Sequence, residues 1–134
     1  MSNRKTSANR ETVERYMEAF ARLDHAAVLE CLTDDVEWIV PGAYHHRGKE
    51  AFDAEIENDA FTGVPLIRVD RLLDAGDVIV VEGRVRANPR EGGHVHLVFV
   101  DVFDMRDGLI RRLVSYLMPV PAEQADVRIA GESS

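Results

Sequence analysis

Asp101 is the residue of this sequence whose surroundings most call for a chemical explanation. It interrupts Val95-His96-Leu97-Val98-Phe99-Val100-Asp101-Val102-Phe103, where almost every neighbour is apolar. In a strand, side chains alternate between faces, so Asp101 shares a face with Leu97, Phe99 and Phe103. A carboxylate among such neighbours loses hydration, its pKa rises, and it can stay protonated near neutral pH. In that form it donates a hydrogen bond to developing negative charge and can serve as acid or base. The structural alternative is an aspartate at a bulge or sheet edge, paired with an arginine such as Arg84 or Arg112.

Tyr16 offers a second donor. Val13, Tyr16, Met17 and Phe20 recur at the spacing of one helical face. The Tyr16 hydroxyl on that buried face needs a partner or opens into a cavity. Apolar walls for such a cavity come from Phe20, Trp38, Val40, Phe52, Phe99 and Phe103, each of which is equally suited to ordinary core packing. His45, in a loop near the cavity mouth, is a candidate base, because an imidazole titrates close to working pH. His45-His46 and His94-x-His96 also invite a metal site with Asp101 as a further ligand. Opposite strand parity sends His96 and Asp101 to opposite faces, and the adjacent histidines diverge, so neither metal nor cofactor is expected.

These residues need elements to position them. The helical spacing from Val13 to Phe20 is followed by Asp24, placed to cap a second helix, with Leu23 and Val28 spaced as a hydrophobic staple. Val28, Leu29 and Leu32 form that helix's buried stripe, and Thr33-Asp34-Asp35 ends it. Val36 to Val40 reads as a strand with Val36, Trp38 and Val40 on one face, stopped by Pro41-Gly42. Ala43 to Gly48 is expected as a loop, followed by a short third helix with Phe52 and Ile56 inward. Four strands then follow, Leu66 to Leu73, Val78 to Ala87, His94 to Met105 and Leu109 to Met118, joined by turns such as Ala75-Gly76-Asp77 and Asp107-Gly108. Short turns between successive strands predict an antiparallel meander. The order is α-α-β-α-β-β-β-β, an α+β fold. Residues 1–8 are expected to be disordered, 9–118 to form the pocket domain, and 119–134 to make a loose C-terminal tail. Several strands are apolar on both faces, which requires cover on both. Helices cover one, and a second copy of the chain, giving a homodimer, is expected on the other.

Bulk composition narrows the partners. The 134 residues suffice for one well-buried core, with 46% apolar and 30% charged residues. A formal net charge of -8 argues against nucleic acid and against an anionic membrane surface. The one cysteine, Cys31, has no partner for an intrachain disulfide and reads as inert packing. The polar first ten residues lack the apolar core of a signal peptide, and no stretch reaches a membrane span. A cytoplasmic location is the expectation.

The motifs, taken in order, resemble the nuclear-transport-factor-two-like superfamily, within it the SnoaL-like and steroid delta-isomerase branches. The matching text is Arg15-Tyr16; Leu32-Thr33-Asp34-Asp35-Val36-Glu37-Trp38 with Pro41-Gly42; Arg47-Gly48-Lys49-Glu50-Ala51-Phe52; Asp74 to Gly83; and Asp101-Val102-Phe103-Asp104-Met105-Arg106-Asp107-Gly108-Leu109-Ile110. The resemblance implies a cone of curved sheet closed by three N-terminal helices, often dimeric through the sheet's outer face. In the steroid isomerases a first-helix tyrosine and a late-strand aspartic acid form the oxyanion hole, and Tyr16 and Asp101 fall on those positions. Those enzymes place an aspartate base just before the proline ending the first strand. Here Val40 precedes Pro41, and valine cannot take a proton. In SnoaL-like cyclases the late-strand aspartate is itself the acid/base, a role open to Asp101.

Three functions follow as expectations. The first is a cyclase or isomerase-like enzyme that transfers protons on a small, apolar, oxygen-bearing molecule through Asp101 and Tyr16. The second resembles limonene epoxide hydrolase and requires an Asp-Arg-Asp set, for which Asp70 and Arg84 are the candidates beside Asp101. The third is a non-catalytic module for small-molecule binding or dimerisation. An open cup bearing Asp101 and Tyr16 favours the enzymes; a filled cone favours the module.

Overall fold

A computed structural model describes residues 3–125. The elements are α1 (Asn3–Ala21), α2 (His25–Leu29), β1 (Leu32–Val40), β2 (Tyr44–Arg47), α3 (Lys49–Ile56), β3 (Leu66–Asp74), β4 (Val78–Ala87), β5 (Val95–Arg106), β6 (Leu109–Pro119) and α4 (Ala122–Ala125). The strands form one six-stranded sheet in the order β2-β1-β6-β5-β4-β3, curved and unclosed, with α1, α2 and α3 against its inner face. This is the expected α+β architecture. The meander β3 to β6 is antiparallel throughout, while β1 pairs with β6 in parallel. Among the described residues no helix is long and apolar enough to cross a membrane.

Several boundaries differ from the sequence expectation. The second helix ends at Leu29, and Leu32 begins β1, so Leu32 joins the core from a strand rather than from a helical stripe. Helix α1 takes in residues 3–8, where polar composition predicts disorder. Its polar face is anchored: buried Asn9 donates from Nδ2 to the Gly76 carbonyl at 2.7 Å, and buried Thr12 donates from Oγ1 to the Gly108 carbonyl at 2.6 Å. These bonds tie the helix to the β3–β4 and β5–β6 turns, and they set the pose from which Val13, Tyr16 and Met17 enter the core. At the other end β6 runs through Pro119 and α4 follows; the rest of the expected tail, residues 126–134, lies outside the described residues.

The larger difference is β2. The segment expected as a loop is a strand paired antiparallel with β1, Val40 opposite Tyr44 and Trp38 opposite His46. Pro41-Gly42 turns the chain instead of only stopping it. The Ala43 amide donates to the Val40 carbonyl at 2.9 Å, and Gly42 has φ of 82°, the pattern of a type II turn with proline leading.

The inner face carries the core. Val36, Trp38, Val40, Ile79, Val81, Phe103 and Leu113 are buried there, and Val13, Tyr16, Val28, Phe52 and Ile56 meet them from the helices. Full burial of one such side chain stabilises by roughly 1.5–3 kcal/mol. Helix α3 is also clamped to α2, where His25 contacts Asp53 through Nδ1 at 2.6 Å and Glu57 through Nε2 at 2.5 Å.

Sheet curvature depends on Gly83, opposite Val69 and Phe99 and beside the bulge between Val69 and Arg71. A Cβ there would lie 2.3 Å from the Arg68 carbonyl oxygen and 2.6 Å from the Phe99 ring. Neither can yield without moving backbone or a ring packed on the inner face. Gly83→Ala is therefore expected to destabilise the fold by about 1–3 kcal/mol, the range for overpacking, as read from urea denaturation. An unchanged midpoint would show that the sheet flattens at no cost.

Candidate functional site

A cavity of about 290 Å³ opens between α1, the β1–β2 hairpin, α3 and the inner face of β4 to β6. That places it near the lower end of ligand-site volumes. Tyr16, Phe20, Trp38, Phe99, Asp101 and Ser115 are among the residues lining it. Half-exposed Phe61 and Leu117 mark its rim, while buried Tyr16 and Asp101 lie at its floor.

Asp101 is only 8% exposed. Burial raises its pKa to about 7, and a hydrogen bond with the Ser115 side chain pulls in the opposite direction. Ser115 stands directly opposite Asp101 in the β5–β6 register. Its Oγ accepts the Trp38 indole N–H at 3.1 Å, so its own proton is free to point at the carboxyl. The three residues form a line from β1 through β6 to β5. An acid with this pKa is present in both forms at neutral pH and can give or take a proton.

Tyr16 reaches the same floor from α1. Burial, and then the nearby Asp101 carboxyl, push its phenol well above the ordinary range, so it remains a neutral donor. Among the described residues its hydroxyl has no hydrogen-bond partner, which leaves it available to a ligand. Aromatic edges hold the ring, with Phe103 at 5.4 Å, Phe20 at 5.7 Å and Phe52 at 6.2 Å between centroids.

Of the expected wall residues, Phe20, Trp38 and Phe99 line the cavity. Phe52, Phe103 and Val40 do not. They are buried behind the lining, Phe52 stacked on Trp38 at 4.4 Å and Phe103 edge-on to Tyr16. The narrow end of the cone is filled with side chains, so these residues brace the walls rather than face a ligand.

His45 is turned away. Pairing across the hairpin puts it opposite Ile39 on the outer face, where Nε2 contacts Glu37 at 2.7 Å. Its neighbours Tyr44 and His46 take the inner side. Tyr44 lines the cavity and packs edge-on against Trp38 at 5.6 Å, and His46 stacks on Tyr44 at 4.4 Å. Burial, then Glu55 and Asp101, raise the Tyr44 pKa. Glu55 of α3 also lines the cavity, holding His46 Nε2 at 3.0 Å and Asn58 Nδ2 at 2.9 Å. The sequence signal for Glu55 was its place three residues after Phe52, at the edge of the buried helical stripe. Ser115 had a period-two signal, alternating with outward Val114 and Tyr116.

Asp70 and Arg84 pair at 3.0 Å beside Glu82, Val98 and Val100, on the outer face. They do not stand with Asp101. His96 lies opposite Arg86 with parity opposed to Asp101, and His94 contacts Asn88 at 2.9 Å. Among the described residues no group of three or more His, Cys, Asp or Glu is placed to hold a metal ion. Cys31 is buried in the core, and burial raises its thiol pKa.

The SnoaL-like domain family matches residues 13–113, from within α1 to within β6. The chain belongs to that family. No curated protein matches the sequence. Solved structures share the nuclear-transport-factor-two-like fold of this SnoaL-like domain. One is an NTF2-like protein of unknown function from Burkholderia pseudomallei, at 24% identity and TM-score 0.75, covering 92% of this chain and 98% of that one. Another, from Jannaschia sp. CCS1, is provisionally named a SnoaL-like polyketide cyclase, at 22% identity and TM-score 0.72, covering 83% and 85%. A third is an LEH-like epoxide hydrolase from M. tuberculosis, at 19% identity and TM-score 0.73, covering 84% of each chain. At these identities the likeness is one of fold.

The raised Asp101 pKa has a signed consequence for stability. Between its ordinary value of 3.8 and about 7, the folded SnoaL-like domain holds a proton that the unfolded chain releases. The Asp101 contribution therefore weakens as pH rises across that window and is flat outside it. Asp101→Asn is expected to remove this slope, so the stability difference between variant and wild type should shift in the variant's favour from acid to neutral pH. Urea midpoints measured across the window check this, and a pH-independent difference would refute it.

Proposed function

We propose that this SnoaL-like domain is a cofactor-independent acid–base enzyme, cyclase-like or isomerase-like, acting on a small apolar molecule that bears oxygen. One observation carries the reading: a buried carboxyl poised near neutrality, beside an unpartnered phenol, on the floor of an open apolar cup. Asp101 transfers the proton, and Tyr16 donates a hydrogen bond to the ligand oxygen as negative charge develops there. The aromatic walls supply the low dielectric in which those hydrogen bonds count for more than in water. The provisional cyclase name of the Jannaschia protein agrees with this class of chemistry. The alternative of a passive binding module would have no use for a carboxyl kept at the cost of its hydration.

A panel of enolisable ketones and β-dicarbonyl compounds, followed by ¹H NMR, tests the proposal. Asp101→Asn is expected to lower turnover by ~10²–10⁴, the usual worth of a placed acid or base, while the circular-dichroism spectrum is kept. Undiminished turnover in a folded Asp101→Asn variant would return the chain to the binding-module reading.

The same proposal includes a homodimer through the outer sheet face, in a cytoplasmic setting. Val98 and Val100 stand opposite Met118 and Tyr116 on that face, and Tyr116 and Met118 are 53% and 62% exposed. A contiguous apolar stripe of this kind is what a partner surface covers. Tyr116→Glu, which leaves the inner face untouched, is expected to convert dimer to monomer in analytical ultracentrifugation. A wild-type chain that sediments as a monomer at micromolar concentration would overturn the dimer.

A further inference from the structure

The cup holds a second carboxyl group, and its surroundings are the reverse of those of the first. Asp101 is at the floor among rings; Glu55, on α3, has a side chain 19% exposed and sits among polar groups. Both Glu55 oxygens are oriented, Oε1 by His46 Nε2 at 3.0 Å and Oε2 by Asn58 Nδ2 at 2.9 Å. A carboxylate offers roughly four acceptor sites, so two donors hold it in place and leave lone pairs for a ligand. His46 is itself fixed by stacking on Tyr44, and α3 by the His25 clamp to Asp53 and Glu57. Glu55 is thus a rigidly held acceptor that shares one cavity with the acid Asp101 and the phenol Tyr16.

We propose that Glu55 is the second proton-transfer group of this cup, acting as base on a ligand C–H next to a carbonyl, with His46 and Asn58 as positioning residues. The proposal rests on the reading of Asp101 and Tyr16 above and adds the class of substrate, a small apolar ketone with an acidic neighbouring C–H. In the first step the C–H bond breaks and its proton goes to a Glu55 oxygen. The C–H electron pair forms the C=C bond as the C=O π pair moves onto oxygen, which takes a proton from Asp101 to give the enol while Tyr16 donates it a hydrogen bond. In the second step the enol O–H proton returns to Asp101 as the C=O bond re-forms, and Glu55 delivers a proton to carbon, a deuteron once its carboxyl has exchanged with D₂O. Nothing is oxidised or reduced, and no co-reactant is needed. Glu55 thereby supplies the base that Val40, ahead of Pro41, cannot provide.

The probe is 2-tetralone, a bicyclic ketone, in D₂O, with loss of its α-proton signals followed by ¹H NMR and its binding followed by line broadening. Wild-type protein is expected to accelerate exchange above the buffer rate. Glu55→Gln should slow it ~10²–10⁴-fold with the probe still bound. His46→Gln, which keeps a donor toward Glu55, should retain most of the rate, whereas His46→Ala should lose kcat with KM little changed. The failures are distinguishable. Full exchange in Glu55→Gln with loss in Asp101→Asn removes Glu55 as base and leaves the Asp101 reading standing. Loss in Glu55→Gln with full exchange in Asp101→Asn does the opposite. No exchange by the wild type with 2-tetralone bound overturns C–H abstraction as the reaction.

Discussion

The structure is organised around one unfavourable act, the removal of a carboxyl group from water. Asp101 on β5 is buried in an apolar wall, and the Ser115 side chain across the strand pair offsets part of its lost hydration. Burial of a charge without a partner costs several kcal/mol, so the group relieves that cost by shifting toward its protonated form. The shift survives only while the cup stays dry-walled. Phe99 beside it and Phe103 behind it keep it so, and Trp38 holds the Ser115 oxygen in place. A loosened wall would hydrate the carboxyl and return it to ordinary acidity.

Keeping such a cavity open conflicts with the hydrophobic effect, which fills space wherever it can. The conflict is settled by distance from the narrow end of the cone. There Phe52, Phe103, Val40 and Val36 pack to closure, and their rings brace Tyr16 and Trp38 from behind. Toward the wide end, curvature at Gly83 and the pinned pose of α1 hold the helix and sheet apart. The helix hangs from two turn carbonyls, Gly76 and Gly108, so the position of Tyr16 depends on hairpins far from it in sequence. The floor carries the donors Asp101 and Tyr16 and the α3 side carries Glu55, an asymmetry that lets one end of a ligand meet donors and the other an acceptor.

Fold alone does not select among chemistries. The epoxide hydrolase and the provisionally named cyclase share this architecture at about a fifth of identical positions. The sheet's inward side chains can change while its backbone stays, because alternate residues on a strand answer to different faces. Here the outer face carries Asp70 and Arg84 as an ion pair, and among the described residues no arginine lines the cavity with Asp101.

Periodicity decided a good deal before any tertiary contact was known. The four meander strands fall within a residue or two of their expected limits, and the Asp24 carboxylate accepts the Ala27 amide proton as a cap at its spacing requires. The inward face of α1 and the burial of Asp101 were legible for the same reason: a repeat of two or of 3.6 is a local property that every residue in the run reports. Tertiary structure alone decided which polar residues join the cup. His45 and His46 differ by one position, and the type II turn at Pro41-Gly42 sets the register that sends one outward and the other in. Glu55 stands at the edge of the α3 stripe that carries Phe52, and it is the antiparallel pairing of β2 with β1 that brings His46 to it. Ser115 meets Trp38 across 77 residues of chain. Such partners leave no local trace, because a hydrogen bond between distant segments constrains their positions in space and not the pattern of either segment by itself.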